Sequence, residues 1–421
     1  MKHALTQHKK LIVTFIFCVL YLACSVCSAL PFVITPKEGT QLPTQVRFNQ
    51  QVTAYYTIAN NTLVARSNNF VKYLPRNTRQ VINNGTYGDN CGATFNLAGK
   101  GQPGDSCTLQ LSITGAVFSE DPNSRNHLMV CFPGGLTCAG TQTSLEVKQP
   151  RQVAYISELL GDSLSVCPIL NNGQFGSCGI RQQFNRPESV AINPAGTFIY
   201  VSNGGNDTIS YCPLAIDGSI GLCANQPTPT SPEGITINPA GTFIYIVNSV
   251  TNLVSYCPLL ANGSLGTCAI AGNFPGTLSG ITINPTGTYA YVTEPNASRV
   301  YSCPIANTGV FGVCTSNFIN TPVGINTLAF NPVNNLVYLV NFRNISYCNV
   351  NPDGTIGSCT ITLNGLNNAT GIAFNALGTQ AYITEYPSGR VILCSINPNG
   401  SFRGCTNTQN DLVTPTGIAI L

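Results

Sequence analysis

Runs of β-branched and aromatic residues, each five or six long and cut off by Asn, Pro and Gly, recur through the C-terminal two thirds of the chain. GITIN after Glu233, GITIN after Ser279 and GIAFN after Thr370 read as one kind of strand, and an Asn-Pro-x-Gly-Thr turn follows the first two of them. A second kind comes next in FIYVSN, FIYIVN, AYVTE, VYLVN and AYITE. Two further arms then carry paired cysteines: Cys167/Cys178, Cys212/Cys223, Cys257/Cys268, Cys303/Cys314, Cys348/Cys359 and Cys394/Cys405, all spaced C-x10-C. The pairs follow one another at 45, 45, 46, 45 and 46 residues, the period of a four-stranded propeller blade.

The ends of the array complement each other. It opens at Ala154-YISE, a second strand with no first strand before it, and closes at Pro415-TGIAIL, a first strand with nothing after it. Together they make one unit, so the sequence predicts an all-β, six-bladed propeller over 151–421, closed by its N- and C-terminal strands. An open solenoid is the rival geometry, and it gains nothing from complementary truncation. Residues 30–150 show short runs such as QVTAYYTIANN and SCTLQLSITGAVF, which suit a β-sandwich of about seven strands.

Within each C-x10-C pair the residue five past the first cysteine and its successor read Asn172-Gly173, Asp217-Gly218, Asn262-Gly263, Thr308-Gly309, Asp353-Gly354 and Asn399-Gly400. Asn-Gly and Asp-Gly favour two-residue hairpins. A turn centred there sets each cysteine opposite its partner on a hydrogen-bonded pair, about 5.5 Å apart, within reach of a disulfide. Metal binding by these thiols is disfavoured, since there is no C-x-x-C and no histidine after His127, and six redox switches would be implausible. Cys91/Cys107 and Cys131/Cys138 are the preferred pairings in the N-terminal part, where four cysteines allow three connectivities.

Composition and charge narrow the function. MKHALTQHKK ahead of LIVTFIFCVLYLACSV reads as a secretory signal over 1–29, with cleavage after Ala29 and a poor lipoprotein box at Leu22-Ala23-Cys24. Removing it leaves sixteen cysteines, an even number for an oxidising compartment, periplasmic or extracellular. Nine basic and six acidic residues remain in 30–150, and seven and ten in 151–421, so no basic footprint for nucleic acid exists. No apolar run of the mature chain is long enough for a helical membrane span.

The segments NPAGTFIYVSN, NPAGTFIYIVN and NPTGTYAYVTE resemble the YVTN-type β-propeller repeat, related in pattern to NHL repeats, over roughly 151–421. The family implies a propeller and leaves function open among lactonases, lyases and binding platforms. YTIANNT, NCGATFNLAGKGQPGDSC and TLQLSITG resemble the ASH-type Ig-like domains of bacterial surface and periplasmic proteins.

In a propeller the first strands start and the second strands end on one face. The starts carry Glu188, Glu233, Ser279, Asn326, Thr370 and Thr416; the ends carry Glu158, Asn203, Asn248, Glu294, Asn341 and Glu385. Every glutamate after Glu146 falls on one of these positions. Gluconolactonase-like propellers, which Glu233-Gly234 resembles at the start of a first strand, imply a Ca²⁺ site from Glu188, Glu233 and Asn326, whose hard oxygens suit that ion. Against this, Asn and Glu also cap turns. Glu158, Glu294, Glu385, Arg299, Arg343 and Arg390 form the remaining candidate ligand face, the arginines neutralising glutamates or meeting an anion. Gly161-Asp162-Ser163-Leu164 spells an esterase signature but has no histidine partner in this part of the chain. The sequence therefore favours a secreted or periplasmic scaffold binding an unknown protein or carbohydrate, without catalysis or a resident cofactor. A lactonase-like hydrolase with Ca²⁺ at the channel mouth and a surface adhesin are the alternatives.

Overall fold

The computed structural model describes residues 30–421 except 38–39, 41, 44–45, 47–50, 76–77, 83–87, 115–123, 126, 134–136, 142–151, 229–230 and 320–323. The expected leader, 1–29, lies outside the described residues. The chain divides into two compact units, Met1–Pro150 and Arg151–Leu421.

The first unit holds two sheets. Phe32–Pro36, Gln51–Asn60, Ser106–Thr114 and Thr78–Gln80 form one. Phe95–Leu97, Arg66–Pro75, Met129–Cys131 and Cys138–Gly140 form the other, with Ser124–Arg125 pairing parallel to its long strand. Alternation in Gln51–Asn60 sends Ala54, Tyr56 and Ile58 inward. They meet Phe95, Leu97 and Val130 of the other sheet in one apolar core, the period-2 logic of a half-buried strand. Two disulfides, Cys91–Cys107 and Cys131–Cys138, tie this unit.

The second unit consists of six four-stranded antiparallel sheets. In the sheet containing Glu188 the strands are Pro187–Ile192, Phe198–Asn203, Thr208–Pro213 and Ala224–Pro227, in that spatial order. The other sheets repeat it. The C-terminal strand Pro415–Ile420 pairs with Val153–Glu158 and supplies the first strand of the opening sheet, with Ala154 opposite Ile420 and Tyr155 opposite Ala419. The six first strands pack in a closed circuit, each against the next. The apolar cores lie between neighbouring sheets: Tyr245 and Val247 of one meet Ile281 and Val292 of the next.

Three recurring contacts explain the repeat. The Asn of each Asn-Pro-x-Gly-Thr turn closes it, as where Asn238 Oδ1 accepts from the backbone of Thr242 and Phe243 at 2.9 Å each. Second strands are buried almost throughout and place one fully buried tyrosine in every sheet. The phenol of each tyrosine reaches the cysteine hairpin of the next sheet. The cysteine hairpins are closed by the disulfides Cys167–Cys178, Cys212–Cys223, Cys257–Cys268, Cys303–Cys314, Cys348–Cys359 and Cys394–Cys405, the six expected pairings.

The hairpin register departs from expectation. The Cα atoms of each C-x10-C pair are 4.1 to 4.2 Å apart instead of about 5.5 Å. At the first hairpin Gly173 N donates to Leu170 O and Leu170 N to Gln174 O, both at 2.8 Å, with Gly173 at φ +84°. This is a three-residue loop whose glycine occupies the left-handed bulge position, so Asn172 and Gly173 are not the two centres of a two-residue turn. Gly176 N then donates to Pro168 O at 2.8 Å, which shifts the second arm by one residue and moves the cysteines to a close pair.

The two cysteines of a pair are also less alike than equal arms suggest. The first of each pair lies inside the third strand and is fully buried. The second is only half-buried, and Cys178, Cys223, Cys268 and Cys314 fall just before the fourth strand, which starts at Gly179, Ala224, Ala269 and Thr315. Cys359 and Cys405 lie within longer fourth strands, Ile356–Asn364 and Phe402–Gln409. The bulge accounts for the difference. It takes the second arm out of the ladder until the disulfide brings it back, so regular pairing begins only after the second cysteine in four of the six sheets.

Candidate functional site at the channel mouth

The starts of the six first strands converge. Glu188, Glu233, Ser279, Asn326, Thr370 and Thr416 all line one cavity of about 410 Å³ in the second unit. All six are half-buried. Four of the six backbones are fixed from behind by a hydroxyl one residue before the end of the second strand of the preceding sheet. Ser157 donates to the Glu188 carbonyl (3.2 Å), Ser202 to Glu233 (2.6 Å), Thr293 to Asn326 (3.1 Å) and Thr384 to Thr416 (2.9 Å).

The mouth side chains also grip one another or the adjoining sheet. Ser279 Oγ donates to Glu233 Oε1 at 2.8 Å. Asn326 Nδ2 donates to the Ala369 carbonyl at 2.7 Å, and Thr370 Oγ1 to that of Pro415 at 3.0 Å. Thr416 Oγ1 lies 2.9 Å from Ser157 Oγ. A rigid polar collar results, with two carboxylates on adjacent sheets.

Those carboxylates are electrostatically strained. Burial, reinforced by the charge of Glu233 and opposed by Arg186, pushes the Glu188 carboxyl up to about 7. Burial also pushes Glu233 up, opposed by hydrogen bonds from Ser279 and Ser249. Arg186 Nη2 stands 3.8 Å from Glu188 Oε1, and its side chain is 58 % exposed, so its compensation is weak.

The second-strand ends do different work. Glu158 Oε1 accepts from Ser165 Oγ at 2.6 Å, and its Oε2 from the backbone N–H of Val413 and Thr414 at 2.7 and 3.1 Å. Asn203 donates to Ser210 Oγ (2.8 Å), Asn248 to Ser255 Oγ (3.0 Å) and Asn341 to Asn344 Oδ1 (2.8 Å). Glu294 accepts from Tyr301 Oη at 2.7 Å and pairs with Arg299 at 3.3 Å. Glu385 accepts from Asn367 N at 2.7 Å and pairs with Arg390. These six residues brace the third strand of their sheet or the loop that leads into its first strand, and are buried. Arg299 and Arg390 neutralise glutamates, whereas Arg343 is exposed and its carbonyl accepts from Leu366 N.

The cysteines take no part in the mouth. No member of the six hairpin pairs, from Cys167–Cys178 and Cys212–Cys223 through Cys303–Cys314 and Cys348–Cys359, is among the residues lining the cavity. They belong to the third strands and to the hairpin arms that lead into or form the fourth, which the first two strands of each sheet separate from the channel. Among the described residues no group of three or more His, Cys, Asp or Glu is placed to hold a metal. No helix among them is long and apolar enough to cross a membrane. The eight disulfides indicate an oxidising compartment, extracellular or periplasmic.

Gly161-Asp162 sits in a tight strand connection and Ser163-Leu164 opens the third strand, with Asp162 Oδ1 accepting from Arg186 N, which is not the strand-turn-helix setting the signature requires. Phe342, Asn368 and Tyr386 also line the cavity and were not singled out from sequence. They follow second strands or precede first strands in loops of differing length, where the repeat gives no register.

Residues 170–268 match the family model described as lactonase, 7-bladed beta-propeller. Both mouth glutamates fall within that segment. No curated protein sequence matches the chain. Among solved structures it is similar to the nidogen/laminin complex (14 % identity, 64 % of this chain and 98 % of that one, TM-score 0.50). It is similar to the periplasmic gluconolactonase of Pseudomonas aeruginosa (12 %, 70 % and 94 %, 0.50). A candidate 6-phosphogluconolactonase from Bacteroides uniformis gives 16 %, 70 % and 94 %, and 0.50. At such identities the likeness is one of fold, a β-propeller. The family description has seven blades, whereas the second unit contains six four-stranded sheets.

The match corrects the functional expectation. The expectation of a non-catalytic binding scaffold is overturned by the lactonase family match over 170–268, which favours the lactonase-like alternative. The propeller part of the chain has no histidine, the last being His127. That absence argues against histidine-dependent chemistry only, and a mouth with two carboxylates needs no imidazole.

Proposed function

We propose that the protein is a lactonase-like hydrolase acting at the channel mouth. The observation that carries this reading is the lactonase match over 170–268, whose two first strands deliver Glu188 and Glu233 to one cavity. We read the six sheets as six blades of a ring with YVTN- or NHL-like repeats, one fewer than the family description gives. The N-terminal two-sheet unit we read as an Ig-like accessory sandwich, supported by its single core between facing sheets.

The chain's own residues suit lactone binding. Asn326 has a second amide N–H for a lactone oxygen, and the hydroxyl oxygens of Ser279, Thr370 and Thr416, whose protons are already given, can accept from a sugar ring's own hydroxyls, with Phe342 and Tyr386 adding aromatic surface to the lining. Glu188 and Glu233 are the carboxylates available for an attacking water.

The same pair, with Asn326, is where Ca²⁺ would be held. The donor set is all oxygen, and two carboxylates pressed together by burial gain from a divalent cation between them. Bound there, the ion would polarise the lactone carbonyl.

The test is hydrolysis of a six-carbon sugar δ-lactone by the full chain, followed as acid release. Turnover above the spontaneous rate that Glu233→Gln reduces at least 100-fold is expected; a rate equal to the blank would sink the proposal. Thermal melting with and without Ca²⁺ examines the cation, and an unchanged midpoint would remove it.

A further inference from the structure

Resting on the lactonase reading, we infer that the cavity selects an uncharged lactone and rejects one carrying a phosphate ester. Among the lining residues Glu188 and Glu233 are the only Asp, Glu, Lys, Arg or His side chains. A phosphate monoester needs positive partners, ordinarily a guanidinium fork or an ammonium aimed into the site. None lines this cavity. Of the arginines near the mouth, Arg299 is committed to Glu294 and Tyr301 and Arg390 to Glu385, while Arg186 lies outside the lining, 58 % exposed and 3.8 Å from Glu188. Arg343 is exposed and lies outside the lining.

The remaining walls fit a neutral ring. Hydroxyl and amide groups alternate with apolar side chains at Ile235, Ile281 and Ile372, and Phe342 and Tyr386 add aromatic side chains to the lining. The two glutamates leave the lining net negative, and a divalent cation between them would weaken that repulsion without adding a cationic side chain. The same field also acts on the reaction. Water adds to the lactone carbonyl, the ring C–O bond breaks, the ring oxygen leaves as an alcohol, and the acid formed loses its proton to solvent. A neutral molecule enters and an anion leaves, repelled by the carboxylates that lined its binding.

The experiment compares kcat/KM of the full chain for a six-carbon sugar δ-lactone and for its 6-phosphate ester, with calorimetric binding of the corresponding non-hydrolysable lactams run in parallel. A preference of at least 100-fold for the neutral lactone, with binding of the neutral lactam alone, is expected. Glu188→Gln should shrink that preference about 10-fold, because the ratio reads charge and is insensitive to a general loss of rate. Equal or better use of the phosphate ester, or tighter binding of the phosphorylated lactam, would overturn the inference. If neither lactone is turned over, the lactonase reading falls, while the two lactams still decide whether the cavity discriminates by charge.

Discussion

The hydroxyl of Tyr382 donates to the carbonyl of Gly173 at 2.9 Å, joining residues 209 positions apart. It is the closing member of a cycle. Tyr155 reaches Gly218, Tyr200 reaches Gly263, Tyr245 reaches Gly309, Tyr291 reaches Gly354 and Tyr338 reaches Gly400, at 2.5 to 3.0 Å. Each phenol sits in a second strand and each acceptor in the cysteine hairpin of the next sheet. The last sheet is thereby locked to the first by the same contact that joins any other neighbours.

That equivalence predicts a measurement. Tyr382→Phe removes one buried donor and leaves a carbonyl unsatisfied, at a cost of about 1–2 kcal/mol. Tyr245→Phe should cost the same in urea unfolding, because both tyrosines are fully buried and bond alike. If Tyr382→Phe is neutral while Tyr245→Phe is not, the ring is not closed as described.

Alkaline pH acts on all six contacts together. Burial pushes the phenols of Tyr200 and Tyr245 up to about 12, and those of Tyr155, Tyr291, Tyr338 and Tyr382 still higher. The unfolded chain releases these protons near pH 10 while the folded chain keeps them. Their contribution is therefore complete below pH 10 and is lost as pH rises through 12, by about 1.4 kcal/mol per pH unit for each tyrosine. The melting midpoint should be flat from pH 7 to 9 and fall steeply above 10. Tyrosinate absorbance should rise only with unfolding, and its gradual appearance in the folded protein would refute the account.

Much of this fold was legible because its determinants are local and repeated. The equal cysteine spacing announced the staples, and the mismatch between Ala154 and Pro415 announced the closing strand. The mouth positions followed from the strand period, which is why Glu188 and Asn326 could be placed on one rim before any geometry. The hairpin register was not legible, since Asn-Gly serves a two-residue turn and a bulged loop equally well. Nor were Phe342 and Tyr386, which depend on how loops of unequal length fold back. The role of the strand-end glutamates turned on partners seven positions away, such as Ser165 beneath Glu158.

Close approach of the first strands makes another test. Glycine follows the mouth residue at 234, 280, 371 and 417. A Cβ on Gly234 would lie 2.4 Å from the Ser279 carbonyl oxygen and 3.1 Å from Gly280 Cα, both backbone atoms of the adjoining sheet. Gly234→Ala should cost roughly 1–3 kcal/mol by overpacking, and it should disturb the Ser279 to Glu233 bond at the mouth. Gly179→Ala, with nothing within 4 Å, serves as the control and should be neutral. Equal midpoints for the two variants would show that the first strands are not packed this tightly.

The staples and the tyrosine cycle meet at the same hairpin, so they should be energetically coupled. Cys257–Cys268 closes the loop that presents Gly263, and Gly263 O accepts from Tyr200 Oη at 2.9 Å. Replacing both cysteines by serine should cost about 2–3 kcal/mol by loop-closure arguments. It also frees the loop, so the hydrogen bond to Tyr200 is weakened before the tyrosine is touched. Tyr200→Phe should then cost less in the serine background than in the native one, with a coupling of at least about 0.5 kcal/mol, the threshold at which contacting residues depart from additivity. Tyr338→Phe is the control, because its acceptor Gly400 belongs to the hairpin closed by Cys394–Cys405 and its cost should be unchanged. Additive costs for Tyr200→Phe and the serine pair, or free thiols at Cys257 and Cys268 in a non-reducing peptide map, would separate the staple from the cycle.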